Sequence, residues 1–190
     1  MPLALFALTI GAFAIGTTEF VIVGLVPTIA QQLSISLPSA GLLVSIYALG
    51  AAIGAPVLTA LTGRMPRKQL LLALMVLFTA GNILAWQAPG YETLILARLL
   101  TGLAHGVFFS IGSTIATSLV AKEKAASAIA IMFGGLTVAL VTGVPFGTFI
   151  GQHFGWRETF LAVSILGVIA LISSLILVPN NIPGRASASL

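Results

Sequence analysis

The chain has 190 residues, of which 58% are hydrophobic and only 6% are charged, and its formal net charge is +4. A soluble domain has about 25% charged residues, so this composition excludes an ordinary water-soluble globular protein. The chain has no cysteine, which excludes disulfide bonds, thiolate catalysis and cysteine-based metal sites.

Six apolar segments, taken in chain order, are each long enough to cross a bilayer as a helix. About 20 apolar residues span a hydrocarbon core of about 30 Å at the helical rise. None of the segments alternates between polar and apolar residues, as the strands of a membrane barrel do. The sequence therefore predicts an all-α membrane protein with one bundle of six transmembrane helices over residues 1–178. The segments cover residues 3–26, 39–62, 69–88, 92–119, 125–150 and 156–178.

Basic residues between the segments predict the orientation in the membrane. Six of the eight Lys and Arg residues fall on one side if consecutive helices alternate in direction. Cytoplasmic loops are enriched in Lys and Arg, so that side, both termini and the polar tail 179–190 are predicted to be cytoplasmic. The position of these basic residues at the membrane boundary argues against nucleic-acid binding. The six residues are Arg64, Arg67, Lys68, Lys122, Lys124 and Arg185.

Glu19 is the most informative residue, because it lies inside the first apolar segment. It comes about eight residues before the predicted outer end at Pro27, which places the carboxylate about 12 Å deep. A central acid costs about 2.5–3.5 kcal/mol on insertion scales, and such acids are functional by default. Glu19 is predicted to titrate a proton or to contact substrate. The alternative is an ion pair or hydrogen bond that only fixes helix packing.

Arg98 and His105 are the polar residues of interest in the fourth segment. Arg98 is about 10 Å deep, comparable with Glu19, and the two are predicted to form a central polar pair that lowers the cost of both charges. His105 follows by seven residues, on nearly the same helix face, and its titration near neutral pH suits an auxiliary role in a proton relay. The alternatives are an Arg that locks the first and fourth helices and a His that only bonds between helices.

Small residues recur at every fourth position along the fifth segment. Such a stripe lets another helix backbone approach closely, and Pro145 within it removes a backbone hydrogen bond and predicts a bend. Gly50, Gly54 and Pro56 repeat the pattern in the second segment. The stripe predicts either tight packing inside the six-helix bundle or an interface with a second bundle. Its members are Gly135, Ala139, Gly143, Gly147 and Gly151.

The sequence contains no motif of a known catalytic or metal site. There is no HExxH, no Gly-x-Ser-x-Gly, no phosphate-binding loop and no cluster of acids. We therefore predict no catalytic residue, no metal and no cofactor, and expect a protein that is not an enzyme. An intramembrane hydrolase is the alternative that these missing motifs oppose.

Three motifs, in the expected order, resemble signatures of the major facilitator superfamily. Arg64-Met65-Pro66-Arg67-Lys68 is similar to the end of the signature Gly-x-Leu-x-Asp-Arg-x-Gly-Arg-Lys between helices two and three. Gly63 stands at the acidic position, and Thr59 and Pro66 stand at the two glycine positions. In the family that acid helps to lock the cytoplasmic face.

The other two motifs lie in the fourth and fifth segments. The segment from Leu94 to Gly102 is similar to the helix-four signature, whose Arg is associated with proton coupling in the family; here it is Arg98. The segment Gly143-Val144-Pro145-Phe146-Gly147 looks like the antiporter signature of helix five. The family fold has twelve helices in two similar bundles with substrate bound between them, and this chain resembles the N-terminal half.

Within the superfamily, two further stretches resemble the drug:proton antiporters of bacteria, close to sugar and arabinose efflux proteins. They are Gly16-Thr17-Thr18-Glu19-Phe20 and Gly155-Trp156-Arg157. The resemblance implies efflux of a small molecule, sugar or drug-like, from the bacterial inner membrane, with the proton as coupling ion. It also implies that residues 179–190 begin an inter-bundle linker.

The same resemblance implies the partners of the chain: a small-molecule substrate, the lipid bilayer, and either a C-terminal six-helix half or a second copy. The alternative function is that of an inactive or non-transporting membrane fragment, which packs or dimerises through its Gly-rich helices.

Overall fold

The computed structural model describes residues 2–182, except the side chain of residue 59, and within them the chain forms a helical bundle. Six helices are long and apolar enough to cross a membrane, which confirms the predicted fold class. The last eight residues, including Arg185 and most of the predicted tail, lie outside the described residues. The helices are α1 (Ala4–Gln32), α2 (Leu37–Thr62), α3 (Arg67–Trp86), α4 (Tyr91–Ser118), α5 (Ala125–Val138), α6 (Val144–Phe154) and α7 (Trp156–Leu177).

Helices α5 and α6 belong to one membrane-length helix, Lys122–Phe154, which we call the fifth span. It begins with a 3-10 turn over Lys122–Lys124 and contains a π-helical turn over Ala139–Gly143. Pro145 lies two residues after the end of that turn, so the helix is irregular close to where the sequence predicts a bend. The span ends before Gly155, whose φ of 107° turns the chain into α7.

The first helix is longer than predicted. We expected it to end near Pro27, but α1 continues to Gln32 with Pro27 inside it. Ile29 and Ala30, beyond the proline, are buried in an apolar cluster that also holds Trp156. Burial of these side chains outweighs the one backbone hydrogen bond that proline removes. As a result Glu19 lies near the middle of α1 rather than about eight residues from its end.

Each helix packs against two or more neighbouring helices. Helix α1 contacts the fifth span and α7, α2 lies along α4, and α3 lies between α4 and α7. The contact of α2 with α4 is close enough that a Cβ at Gly102 would overlap the carbonyl oxygen of Tyr47. This close approach brings polar side chains of α2 and α4 together in the interior.

The two ends of the bundle differ in charge. We call the end that carries Arg64, Arg67, Lys68, Lys122 and Lys124 the basic end. There Lys68 Nζ donates a hydrogen bond of 2.8 Å to the carbonyl of Leu175, which joins the start of α3 to the end of α7.

At the opposite end, the Arg157 guanidinium donates to the carbonyl of Ala88 and lies over the ring of Trp156. Five of the six basic residues that were predicted to share one side fall within residues 2–182 and lie at the basic end, while the side of the membrane on which that end lies stays a prediction.

Candidate functional site

Glu19 and His105 meet near the middle of the bundle. His105 Nδ1 lies 3.6 Å from Glu19 Oε2, and the two side chains are 19% and 26% exposed respectively. Among residues 2–182, His105 is the basic side chain in contact with the Glu19 carboxylate, and Arg98 is not within salt-bridge distance of it. Glu19 and Arg98 therefore form no direct salt bridge in this part of the chain, and their role as a central polar pair stays a prediction.

Arg98 instead binds backbone carbonyls and an aromatic ring. Its Nη1 donates 2.9 Å to the carbonyl of Thr18, its Nε donates 3.4 Å to that of Leu43, and its Cζ lies 4.2 Å from the centre of the Tyr47 ring. The side chain is only 1% exposed, so these groups replace part of the water that a guanidinium normally needs, while its Nη2 has no hydrogen-bond partner within residues 2–182. Since Thr18 directly precedes Glu19, Arg98 fixes the backbone from which the carboxylate projects.

Tyr47 of α2 connects Arg98 with His105, and sequence reasoning missed it. Its hydroxyl lies 3.0 Å from His105 Nδ1, the same nitrogen that faces Glu19. Because both Arg98 and His105 contact Tyr47, the prediction that they share a face of α4 is confirmed. Tyrosine in membrane helices is normally enriched at the lipid–water interface, so a tyrosine deep inside the second segment was the available signal.

A second missed group anchors the residue before Glu19. Thr18 Oγ1 donates 2.8 Å to Asn82 Oδ1, and Asn82 Nδ2 donates 2.9 Å to the carbonyl of Phe78. Thr18 and Asn82 are fully buried. A lone amide in the third apolar segment was the signal, because a polar group there needs a partner within the protein. Thr18 is thus held by α3 through its side chain and by α4 through its carbonyl.

Aromatic rings extend the cluster toward the fifth span. His105 contacts the ring of Phe109 with centroids 5.0 Å apart, and Phe109 stacks on Phe133 at 4.9 Å. Phe133 is 37% exposed. The imidazole therefore lies beside a pair of stacked aromatic rings, one of which is partly exposed.

The glycine stripe packs inside the chain. A Cβ at Gly135 would overlap the carbonyl oxygen of Thr9, and Cβ atoms at Gly143, Gly147 and Gly151 would meet Thr17, Val21 and Leu25 respectively. All four contact residues belong to α1. Of the two interpretations of the stripe, packing within the six-helix bundle is the one that the structure shows. The glycines through which the chain was predicted to dimerise are therefore occupied, and their contacts give no support to that alternative.

The loop residues Arg64, Arg67 and Lys68 do not join the central cluster. They lie at the basic end, where Lys68 binds the last turn of α7. The structure thus separates the predicted site residues into two groups, one in the interior and one at the basic end. Their roles in transport stay predictions.

Comparisons of the sequence with a family model and with known proteins all identify the same family. The sequence model of the Major Facilitator Superfamily matches residues 8–189. YtbD of Bacillus subtilis strain 168, an uncharacterized MFS-type transporter, is 58% identical over 179 residues, which are 94% of this chain and 45% of YtbD. A chloramphenicol resistance protein of Streptomyces lividans is 37% identical over 189 residues, which are 100% of this chain and 47% of that protein. The chain spans about half the length of the curated relatives it matches.

A comparison of structures agrees with these matches. The crystal structure of a mutant of the peptide transporter POT, in complex with alafosfalin, superposes with a TM-score of 0.83 at 15% identity. The match covers 99% of this chain and 42% of that chain. At this identity the likeness shows the fold alone.

Proposed function

Because the chain belongs to the Major Facilitator Superfamily, we propose that it is the N-terminal six-helix half of a secondary transporter that exports a small molecule in exchange for protons. The lengths of the relatives support the first part, since 45% and 47% of their chains match. The six membrane-length helices make the chain a multi-pass membrane protein. Transporters of this kind alternate access by moving two bundles about a central site, so activity requires the second half.

The contact between Glu19 and His105 carries the proposal of proton coupling. The two side chains are 3.6 Å apart, lie midway along their helices and are both partly exposed. Protonation of Glu19 removes its charge, weakens this contact and thereby biases the equilibrium between inward-facing and outward-facing states. Substrate that competes for the same state is then exchanged for the proton.

In this scheme Arg98 and Tyr47 act as positioning residues. Arg98 holds the carbonyl of Thr18, and the hydroxyl of Tyr47 lies 3.0 Å from His105 Nδ1. The His105 nitrogen therefore faces both the carboxylate and the phenol. A proton that leaves Glu19 therefore has the His105 imidazole as its neighbouring acceptor, while the neutral phenol of Tyr47 hydrogen-bonds to the same ring.

The proposed cargo is a small sugar or a drug-like molecule. One relative is named as a chloramphenicol resistance protein, which supports export of a drug-like compound by that protein. The stacked rings of Phe109 and Phe133 beside His105 suit a cargo with an apolar ring or ring face.

We further place the protein in the bacterial inner membrane with the basic end in the cytoplasm. The reason is the excess of Lys and Arg at that end. The cysteine-free chain allows a direct test with a single introduced thiol. If an impermeant maleimide reached Glu123→Cys from outside intact cells, this orientation would be contradicted.

The decisive test of proton coupling uses the protein encoded by the complete reading frame that contains this chain. Proton movement is followed with a pH-sensitive dye in inverted membrane vesicles on addition of chloramphenicol or arabinose. We expect Glu19→Gln to reduce substrate-dependent proton movement at least tenfold, because the amide carries no titratable proton. Glu92→Gln is the matched control, since Glu92 is an exposed acid in the first turn of α4. Unchanged proton-linked transport in Glu19→Gln would refute the role of Glu19.

A further inference from the structure

A cavity of about 730 Å³ opens at the basic end, away from the cluster around Glu19. It lies between the last turn of α2, the loop that leads into α3, the later turns of α4 and the segment after α7. Ligand pockets have volumes of about 300–1,000 Å³, so the space is large enough for a small molecule or a headgroup. The transport scheme uses none of the residues that line it.

The cavity has a one-sided charge. Arg64 and Arg67 line it, and none of the described lining residues is acidic. The whole chain has only four acids. Glu19 is in the interior, Glu92 and Glu158 begin helices at the opposite end, and Glu123 lies between Lys122 and Lys124. Within residues 2–182, neither arginine has an ion-pair partner.

Further hydrogen-bond donors face the same space. Helix α3 begins at Arg67, and its N-terminal cap, Pro66, provides no side-chain hydrogen bond to the first turn. The first-turn amides and the helix dipole therefore favour an anion there. Ser110 and Asn180 add a hydroxyl and an amide to the lining. Two guanidinium groups, a free helix start and small polar groups together are typical of phosphate recognition.

Part of the lining is apolar. Leu70, Ile111 and Ile182 contribute hydrocarbon side chains to the cavity. Basic pockets between membrane helices at a positively charged end are known to hold anionic headgroups. We propose that this cavity binds a phosphate group, carried either by the headgroup of an anionic phospholipid or by a soluble phosphate ester.

The test measures saturable binding to the purified 190-residue chain in an uncharged detergent by native mass spectrometry. Phosphatidylglycerol and sn-glycerol 1-phosphate are the two probes, and each is titrated alone. Binding of glycerol 1-phosphate assigns the site to a soluble ester, and binding of phosphatidylglycerol alone assigns it to a lipid headgroup. Both results support a phosphate site, whereas failure of both probes to bind overturns it.

Charge variants separate the cavity from general attraction to the basic end. We expect Arg64→Gln with Arg67→Gln to weaken binding at least tenfold, and Arg64→Lys with Arg67→Lys to weaken it less, because the charge is retained while the forked guanidinium geometry is lost. Lys122→Gln with Lys124→Gln removes two charges at the same end from residues outside the cavity lining, and it should stay within about threefold. Equal weakening by both glutamine pairs, or weakening by neither, would overturn the proposal. Circular dichroism of each variant confirms that the helices are retained.

Discussion

The interior around Glu19 and the basic end both carry arginine, but the two regions treat the charge differently. Buried Arg98 has two backbone carbonyls and the Tyr47 ring as partners, whereas Arg64 and Arg67 have no hydrogen bond or ion pair within residues 2–182. A buried cation without partners costs several kcal/mol, while a cation at the boundary is solvated by water. Contacts in the interior therefore hold the Arg98 side chain in one place, whereas Arg64 and Arg67 at the basic end stay available to a ligand.

Replacement of Arg98 is the strongest way to break this comparison. Arg98→Gln removes the contact with Tyr47 and leaves the carbonyls of Thr18 and Leu43 without their donor. We expect a loss of about 3 kcal/mol in the free energy of unfolding, measured by titration with sodium dodecyl sulfate and circular dichroism. Arg64→Gln, at the basic end, should change it by less than about 0.5 kcal/mol. Similar losses in the two variants would contradict the distinction between the regions.

A substitution in the glycine stripe tests how tightly the interior is packed around α1. Gly135→Ala places a methyl group against the backbone of Thr9. Backbone atoms inside a helix cannot move aside as the end of a flexible side chain can. We expect it to destabilise the chain by about 2 kcal/mol in the same titration. Gly134→Ala is the matched control, because a Cβ there meets no atom within 4 Å. If Gly134→Ala lost as much stability as Gly135→Ala, contact with Thr9 would not be the cause, because alanine has a higher helix propensity than glycine at both positions.

The smallest effect concerns the anchor next to Glu19. Thr18→Val keeps the shape of the side chain but leaves Asn82 Oδ1 without its donor, and we expect it to cost about 1 kcal/mol. Thr142 bonds only to the carbonyl of Val138 in its own helix and is exposed, so Thr142→Val should cost less than about 0.5 kcal/mol. A Thr18→Val variant as stable as the control would show that the bond between α1 and α3 contributes little.

The six helices could be predicted because each apolar run is about as long as a bilayer is thick. The shared face of Arg98 and His105 followed from their spacing on one helix. The partners of Glu19 were not predictable in this way, because they depend on how α1 and α4 are rotated about their own axes. Arg98 packs over the ring of Tyr47, a contact with α2 that the spacing of residues along α4 does not reveal.

The predicted end of α1 was wrong for a related reason. Proline is a strong local signal for a helix end, but the burial of Ile29 and Ala30 is a property of the assembled bundle. Local patterns therefore located the elements, and contacts between helices determined where one of them ends and which polar groups meet.

The π-helical turn at Ala139–Gly143 sets the phase of the whole glycine stripe. A regular α-helix advances about 100° per residue, so Gly151, sixteen positions after Gly135, would be rotated by about 160° from it. One π turn accommodates an extra residue and removes about 100° of that rotation. Both ends of the stripe consequently remain within reach of α1. A four-residue repeat of small side chains over this length therefore encodes an irregular helix as well as a close contact.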